Sequence, residues 1–464
     1  GLWRQTGVTM TLLEQFGLFI ASYPEKLSAP DEHAARRALL DWQAALIAGS
    51  DSAVAEKLIA SYATDLGYGP CSVAGSSSAA GLRVAAYLNG TISHIAEFDD
   101  IYRNGAYHPA APTISAVFSL AQARGLSLSN LLRAITLGYE VSTRIAEVIQ
   151  PSHYQFYHTT GTVGVFGAAA ACAALLQLDE KSCAHALATA ATFASGLQQA
   201  FRSDAMTKPM HAGHAAEVGL HAALTAAQGM TGALDILEGA AGFGAAMSSQ
   251  PRWDELFFEI GKTSRITQMT FKNHGCCGHN FAAIDGAMYL IKQHAIDYQK
   301  IRRVRVGAYQ ATLDVCAYRH PTSAFEAKFS LSHTVACGIL YGAVREKSVQ
   351  VERLGQELIR SLEDRIELVL DPQATALFPK VRSAKIAIEL LDGQVFEHHQ
   401  LTRHGDPDDP LTDDELLSKF LELSAVRIGQ DQSNQLAEII MQHVNPLVSE
   451  LSSRWHLIKS LSVK

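Results

Sequence analysis

The sequence predicts a mainly α protein. A large all-α helical bundle domain is formed by both chain ends, residues 1–267 and 401–464, and a smaller α+β domain is inserted over residues 268–400. Three observations carry this. Apolar residues recur at helical spacing through the first 260 residues, alternation typical of strands sets in after about residue 300, and helical spacing returns after residue 412. With 464 residues the chain is also longer than one hydrophobic core normally serves.

The first region reads as helix after helix. In the segment 34–48, Ala35, Leu39, Trp42 and Leu46 share one face while Arg36, Arg37 and Asp41 fall elsewhere. Similar patterns run over 79–98, 113–123, 129–149 and 162–176, and the alanine-rich stretches 161–200 and 215–248 read as buried small-residue helices. Gly49, Gly125 and Gly229 fit helix ends. No repeat of 20–50 residues recurs, so the expected arrangement is a bundle and not a solenoid.

In the inserted region, Ile301–Gln310 alternates polar and apolar residues. Lys385–Leu390 and Gln394–Glu397 flank Asp392-Gly393, a hairpin signal. Helical patterns lie near 329–344 and 348–362. The turn-rich run 405–412 then leads to Thr412 and Glu415, a capping box opening a helix over 413–423.

Composition excludes several functions. The chain has 48% hydrophobic and 18% charged residues and a net charge of −8, without a dense Lys/Arg block, which argues against a nucleic-acid partner. Its seven scattered cysteines include the adjacent pair Cys276-Cys277 and no CxxC, so neither a disulfide framework nor a structural zinc site is expected. Residues 1–10 lack the apolar core of a secretory signal, and residues 1–9 read as a remnant ahead of a start at Met10. Nothing approaches the roughly 18 uninterrupted apolar residues of a membrane span, so a cytoplasmic protein with no membrane partner is expected.

Four polar clusters interrupt apolar surroundings. The first holds Glu97, Asp99, Asp100, Arg103 and His108; the second, Tyr157-His158-Thr159-Thr160-Gly161, sets His158 just ahead of a helix start that can receive an anion. The third contains Lys208, His211 and His214, preceded by Arg202 and Asp204. From composition alone Lys208 reads as a solvated loop lysine between two core helices. The fourth is Lys272-Asn273-His274-Gly275-Cys276-Cys277-Gly278-His279, whose spacing matches no compact zinc pattern and whose thiols carry no sign of activation. Together they supply cations for a polyanion and imidazoles for proton transfer near neutral pH. GxGxxG, Walker A, GxSxG and HExxH are all missing from the sequence, which leaves cofactor-free proton chemistry on a carboxylate-rich small molecule.

At these residues the chain resembles the MmgE/PrpD family, which includes 2-methylcitrate dehydratase, cis-aconitate decarboxylase and iminodisuccinate epimerase. The likeness rests on His-Ile-Ala-Glu-Phe-Asp-Asp (94–100) with His108-Pro109, on Tyr-His-Thr-Thr-Gly-Thr-Val-Gly (157–164) and on Thr-Lys-Pro-Met-His-Ala-Gly-His-Ala-Ala (207–216). It continues through Phe271-Lys272 with Cys277, Glu326–Ser330, and residues 405–412 before Lys419-Phe420. The resemblance implies a homodimer, with the α+β domain as a lid and the active site in the cleft beneath it. It places catalytic roles on His108, His158, Lys208, Lys272 and Tyr318, and substrate binding on Glu97, Arg103, Lys208 and Lys272. It implies neither a metal nor a cofactor. Proton transfer falls to His158 and His108, with Tyr318 as another donor, and His211 is expected only to support them. The leading expectation is dehydration of a 2-methylcitrate-like hydroxy acid. Decarboxylation of a cis-aconitate-like acid, epimerisation of an iminodisuccinate-like acid and non-catalytic carboxylate binding are the alternatives. Glu97 stands where the family pattern has Asp, Ile101 where it has Thr, and the spacer to His108 is one residue longer than in the decarboxylase.

Overall fold

A computed structural model describes residues 9–203, 205–442 and 444–458. It is mainly α and divides into two compact units, residues 9–269 with 413–458, and residues 270–412.

The first unit is a helical bundle. Its leading helices are α1 (Leu12–Ser22), α2 (Ala29–Ser50), α3 (Ala53–Ser61), α4 (Leu82–Ile95) and α5 (Ala110–Ala123). They are followed by α6 (Leu128–Val148), α7 (Thr159–Leu175), α8 (Glu180–Ala191) and α9 (Lys208–Ala227). Local chemistry sets several starts: Thr11 and Glu14 form a capping box on α1, and Ser28, Ser52 and Asp179 cap α2, α3 and α8. The alanine and glycine content has a packing consequence. Helix α9 packs on α4 and α7, and a Cβ added at Gly213 would lie 2.1 Å from Thr91 Oγ1 and 2.4 Å from the Tyr87 carbonyl oxygen. Helix α7 is buried on all sides from Thr159 to Ala174, which small residues permit at such close spacing.

Two stretches differ from the sequence expectation. The region 215–248 is not one helix, because α9 stops at Ala227 and an irregular run follows before the short helix Phe243–Met247. Gly229, Gly232, Gly239 and Gly242 break the pattern there. A short strand β1 (Leu66–Cys71) also lies outside the all-helical expectation; Gly67 and Gly69 take positive φ within it. The C-terminal helix Asp413–Ile428 begins where the capping pattern places it and packs on α2.

The second unit holds a four-stranded sheet of order β3-β2-β4-β5, from β2 (Ile301–Ala308), β3 (Ile366–Leu370), β4 (Ala384–Leu390) and β5 (Val395–Gln400). Strands β4 and β5 form the antiparallel hairpin expected at Asp392-Gly393, with Gly393 at φ 90°. β3 lies parallel to β2, with Val304 opposite Ile366. Helices Phe281–Gln293 and Leu331–Tyr341 share one apolar core with the sheet residues Val304, Val306, Ile386 and Ile388. The unit extends past residue 400. Arg403 pairs with Asp406 through two buried 2.8 Å bonds, Phe271 N–H donates to the Gly405 carbonyl (3.0 Å), and Thr270 Oγ1 donates to Asp406 (2.5 Å). The segment that reads as a linker is therefore folded into this unit. The helical pattern expected over 348–362 is broken into Glu346–Val349, Val351–Leu354 and Glu357–Asp364 around Gly355.

Among the described residues no helix is long and apolar enough to cross a membrane.

Candidate active site

In the first unit the candidate residues come together around the N-terminal ends of three helices. His108 lies two residues before α5, His158 is the N-cap residue of α7, and Lys208 is the first residue of α9. The three starts bring the partial positive charges of their helix ends together, which favours an anion; at α5 the Ala110 N–H already serves the Asp100 carboxyl. His108 N–H donates to Thr160 Oγ1 (3.1 Å), which ties the α5 and α7 ends together.

Lys208 is a helix-start residue and not the solvated loop lysine that composition suggests. Its ammonium donates to Glu97 Oε1 at 2.7 Å and lies 5.3 Å from the Phe201 ring centroid. Glu97 follows the last turn of α4 at φ 59°, a left-handed conformation usual for glycine at a helix end. Burial works to lower the lysine's pKa, but the charge and hydrogen bond of Glu97 outweigh it and the net shift is upward. The pairing with Glu97 thus favours the protonated form of Lys208.

Behind this pair lies a histidine cluster. His94 Nδ1 donates to Asp99 Oδ2 at 2.7 Å, with both side chains fully buried. The His94 ring packs at 5.0 Å from that of His108 and stacks on His158 at 5.6 Å, centroid to centroid. His108 Nδ1 lies 2.9 Å from the Asp100 carbonyl, which can only accept, so this nitrogen carries the proton. The Asp100 side chain is held by Tyr139 Oη (2.5 Å) and Ala110 N–H (3.0 Å), and burial pushes its carboxyl well above the usual range. His158 Nδ1 lies 2.8 Å from His211 Nδ1. Burial, then the Lys208 charge, drives His158 well below the ordinary imidazole value; burial takes His211 down to about 4. Both rings are neutral at pH 7.

Among the described residues, His94, Asp99 and His108 offer donor atoms within 4.8 Å of one another, a set able to hold a metal ion. The Nδ1 atoms of His94 and His108 both carry protons in the hydrogen bonds to Asp99 and Asp100. These bonds orient the two rings.

The cluster thus joins Glu97, His108, His158 and Lys208. Arg103 is half-buried at the start of a one-turn segment, within a loop closed by pairing of Tyr102 with Tyr107. Asp204 lies outside the described residues. Lys272 and Tyr318 belong to the second unit: Lys272 is buried, and Tyr318 is 44% exposed with its carbonyl accepting from Ser330 Oγ (2.6 Å). Three contributors stand in the sequence motifs but gain their partners only in the fold. His94 and Asp99 stood in the 94–100 motif without a role, and His211 bonds directly to His158. A fourth is remote in sequence: fully buried Lys419 donates to Asp41 Oδ1 (2.7 Å) and to the carbonyl of Phe98 (2.9 Å), the residue between Glu97 and Asp99.

Comparison with known proteins matches residues 14–256 to the MmgE/PrpD N-terminal domain and residues 274–444 to the MmgE/PrpD C-terminal domain. The chain is 27% identical over 372 residues to cis-aconitate decarboxylase of Homo sapiens, covering 77% of this chain and 75% of the relative. It is 26% identical over 460 residues to the cis-aconitate decarboxylase-like protein oryM of Aspergillus oryzae, covering 92% and 93%. The Mus musculus cis-aconitate decarboxylase is 24% identical over 372 residues, covering 77% and 74%.

Proposed function

Because the chain belongs to the MmgE/PrpD family, and its curated relatives act as small carboxylic acid lyases, we propose that it is a cofactor-independent decarboxylase of a small unsaturated tricarboxylic acid of the cis-aconitate kind. One observation carries the proposal: a protonated lysine is fixed where three helix N-termini converge, beside neutral buried imidazoles. A substrate carboxylate pairs with Lys208 and the helix N–H groups. As CO2 leaves, the C–C electron pair passes into the conjugated system, and the same positive groups stabilise the charge that develops. His158 delivers the proton to the resulting carbanion, and His108, held in one tautomer, is the second acid–base group. From the family pattern, Lys272 and Arg103 are assigned to carboxylate binding and Tyr318 to an alternative proton donation. The working form is proposed as a cytoplasmic homodimer, which light scattering would test.

Dehydration of a 2-methylcitrate-like acid is the second reading. It would use the same site residues; Glu97 and Ile101 depart from the Asp and Thr of the decarboxylase and dehydratase patterns alike and favour neither. The test is proton NMR in D2O with cis-aconitate, 2-methylcitrate, citrate and iminodisuccinate. A decarboxylated product with one deuterium supports the proposal, and alkene formation from 2-methylcitrate supports the second reading. Deuterium uptake without net change marks an epimerase. Silence on all four, with thermal stabilisation by one of them, marks a binding protein and overturns both.

A further inference from the structure

We propose that His211 is a positioning and relay residue that sets, and resets from solvent, the proton on His158. The inference rests on the reading of His158 as the proton donor to substrate and extends it to a residue expected only to support it.

His158 is only 2% exposed, so with substrate over Nε2 a proton given up there is replaced only through the group on Nδ1. His211 is half-buried and its Nδ1 meets His158 Nδ1 at 2.8 Å, within hydrogen-bond range. With both rings neutral, one Nδ1 carries the shared proton and the other accepts it, so the two tautomers are coupled. The surroundings are built to hold this contact. A Cβ at Gly196 (φ 133°) would sit 3.3 Å from His211 Nδ1, and one at Gly161 would sit 3.0 Å from His211 Cβ. The same Gly196 accepts the His158 backbone N–H at 3.0 Å, so both rings are fixed from one glycine. The edge of Phe201 closes over His158 at 5.0 Å.

The proton balance follows from the geometry. Loss of CO2 breaks one C–C bond and leaves its electron pair on the substrate, and His158 Nε2–H gives its proton to that carbon. His158 Nδ1 takes the shared proton from His211 Nδ1, and His211 Nε2 takes one from water. Neither ring becomes charged at the end of the step. After product leaves, the emptied site admits water to His158 Nε2, which takes a proton; His158 Nδ1 returns the shared proton to His211 Nδ1, and His211 Nε2 releases its own to solvent, restoring the starting tautomers. One solvent proton is consumed per turnover, as decarboxylation requires.

His211→Asn keeps a side-chain group able to hydrogen-bond His158 but cannot pass a proton through itself. The relay predicts that kcat falls by roughly 10²-fold in this variant, with KM changed less than about threefold. His211→Ala should fall similarly and regain activity with added imidazole. Wild-type kcat in His211→Asn would overturn the proposal, as would a folded His211→Ala that imidazole does not rescue. If the wild-type protein turns over none of the acids, the functional reading fails, and the relay is judged separately by nitrogen-15 NMR of the histidine rings. Nitrogen-15 shifts must then show one Nδ1 of the His158–His211 pair protonated and the other bare; two protonated or two bare Nδ1 atoms would overturn the relay.

Discussion

Replacing Lys419 by methionine keeps the length of the side chain and removes its charge. In the folded protein the ammonium is fully buried and pairs at 2.7 Å with Asp41, itself 1% exposed. Burial raises the Asp41 carboxyl, Lys419 opposes that shift, and Asp99 adds to it. Without the lysine, Asp41 is a buried carboxylate close to another, and breaking such a pair costs roughly 3–5 kcal/mol. The variant's Asp41 holds its proton in the folded state at pH values where the unfolded chain releases it. The loss is therefore smallest below about pH 4 and grows as pH rises. Urea denaturation followed by tryptophan fluorescence measures it, since Trp42 adjoins Asp41 on α2. The double variant Asp41→Leu/Lys419→Met removes both charges and is expected to recover most of the stability. Activity should not recover with it, because Phe98 still lacks the donor that holds the turn between Glu97 and Asp99. A loss below about 1 kcal/mol at pH 8 in Lys419→Met, or a double variant no more stable than the single, would refute this reasoning.

Three other outcomes are expected. Glu97→Gln removes the carboxylate that keeps Lys208 protonated, so the alkaline limb of the kcat/KM profile should move to lower pH; an unmoved limb would contradict the pairing. Buried His153, held by Thr162 and the Met247 carbonyl, has its pKa lowered to about 4 by burial. The unfolded chain takes up that proton first as pH falls from about 6.5, so roughly 3 kcal/mol is lost on acidification to about pH 4. His153→Gln should flatten the urea midpoint against pH over that interval. Gly213→Ala drives a methyl into Thr91 and the Tyr87 carbonyl and should cost roughly 1–3 kcal/mol, read by thermal denaturation.

The helical bundle was legible because apolar periodicity and capping residues are local signals, as at Ser28 or the start of the helix Asp413–Ile428. The β4–β5 hairpin was legible for the same reason, through Asp392-Gly393. Strand β3 was not: Ile366–Leu370 is five residues long, and its parallel pairing with β2 is set by residues 58 or more positions away. The site divided in the same manner. His108, His158 and Lys208 stand in local motifs at helix starts, so their residue types announced them. The ion pair with Glu97 crosses 111 positions, and the bonds from Lys419 to Asp41 and Phe98 cross 378 and 321. Such contacts exist only after packing, and no spacing rule encodes them. His211 illustrates the point within one motif. It lies three residues from Lys208, yet only the approach of α7 to α9 shows that it bonds His158 and not solvent alone.

The central claim is that Lys208 and His158 act together on a carboxylic acid. Its most direct test is kcat/KM for Lys208→Met and His158→Gln, measured on the acid that the wild-type protein turns over, with folding checked by circular dichroism. Each variant is expected to lose roughly 10²–10⁴-fold. Near-wild-type kcat/KM in both would contradict the account.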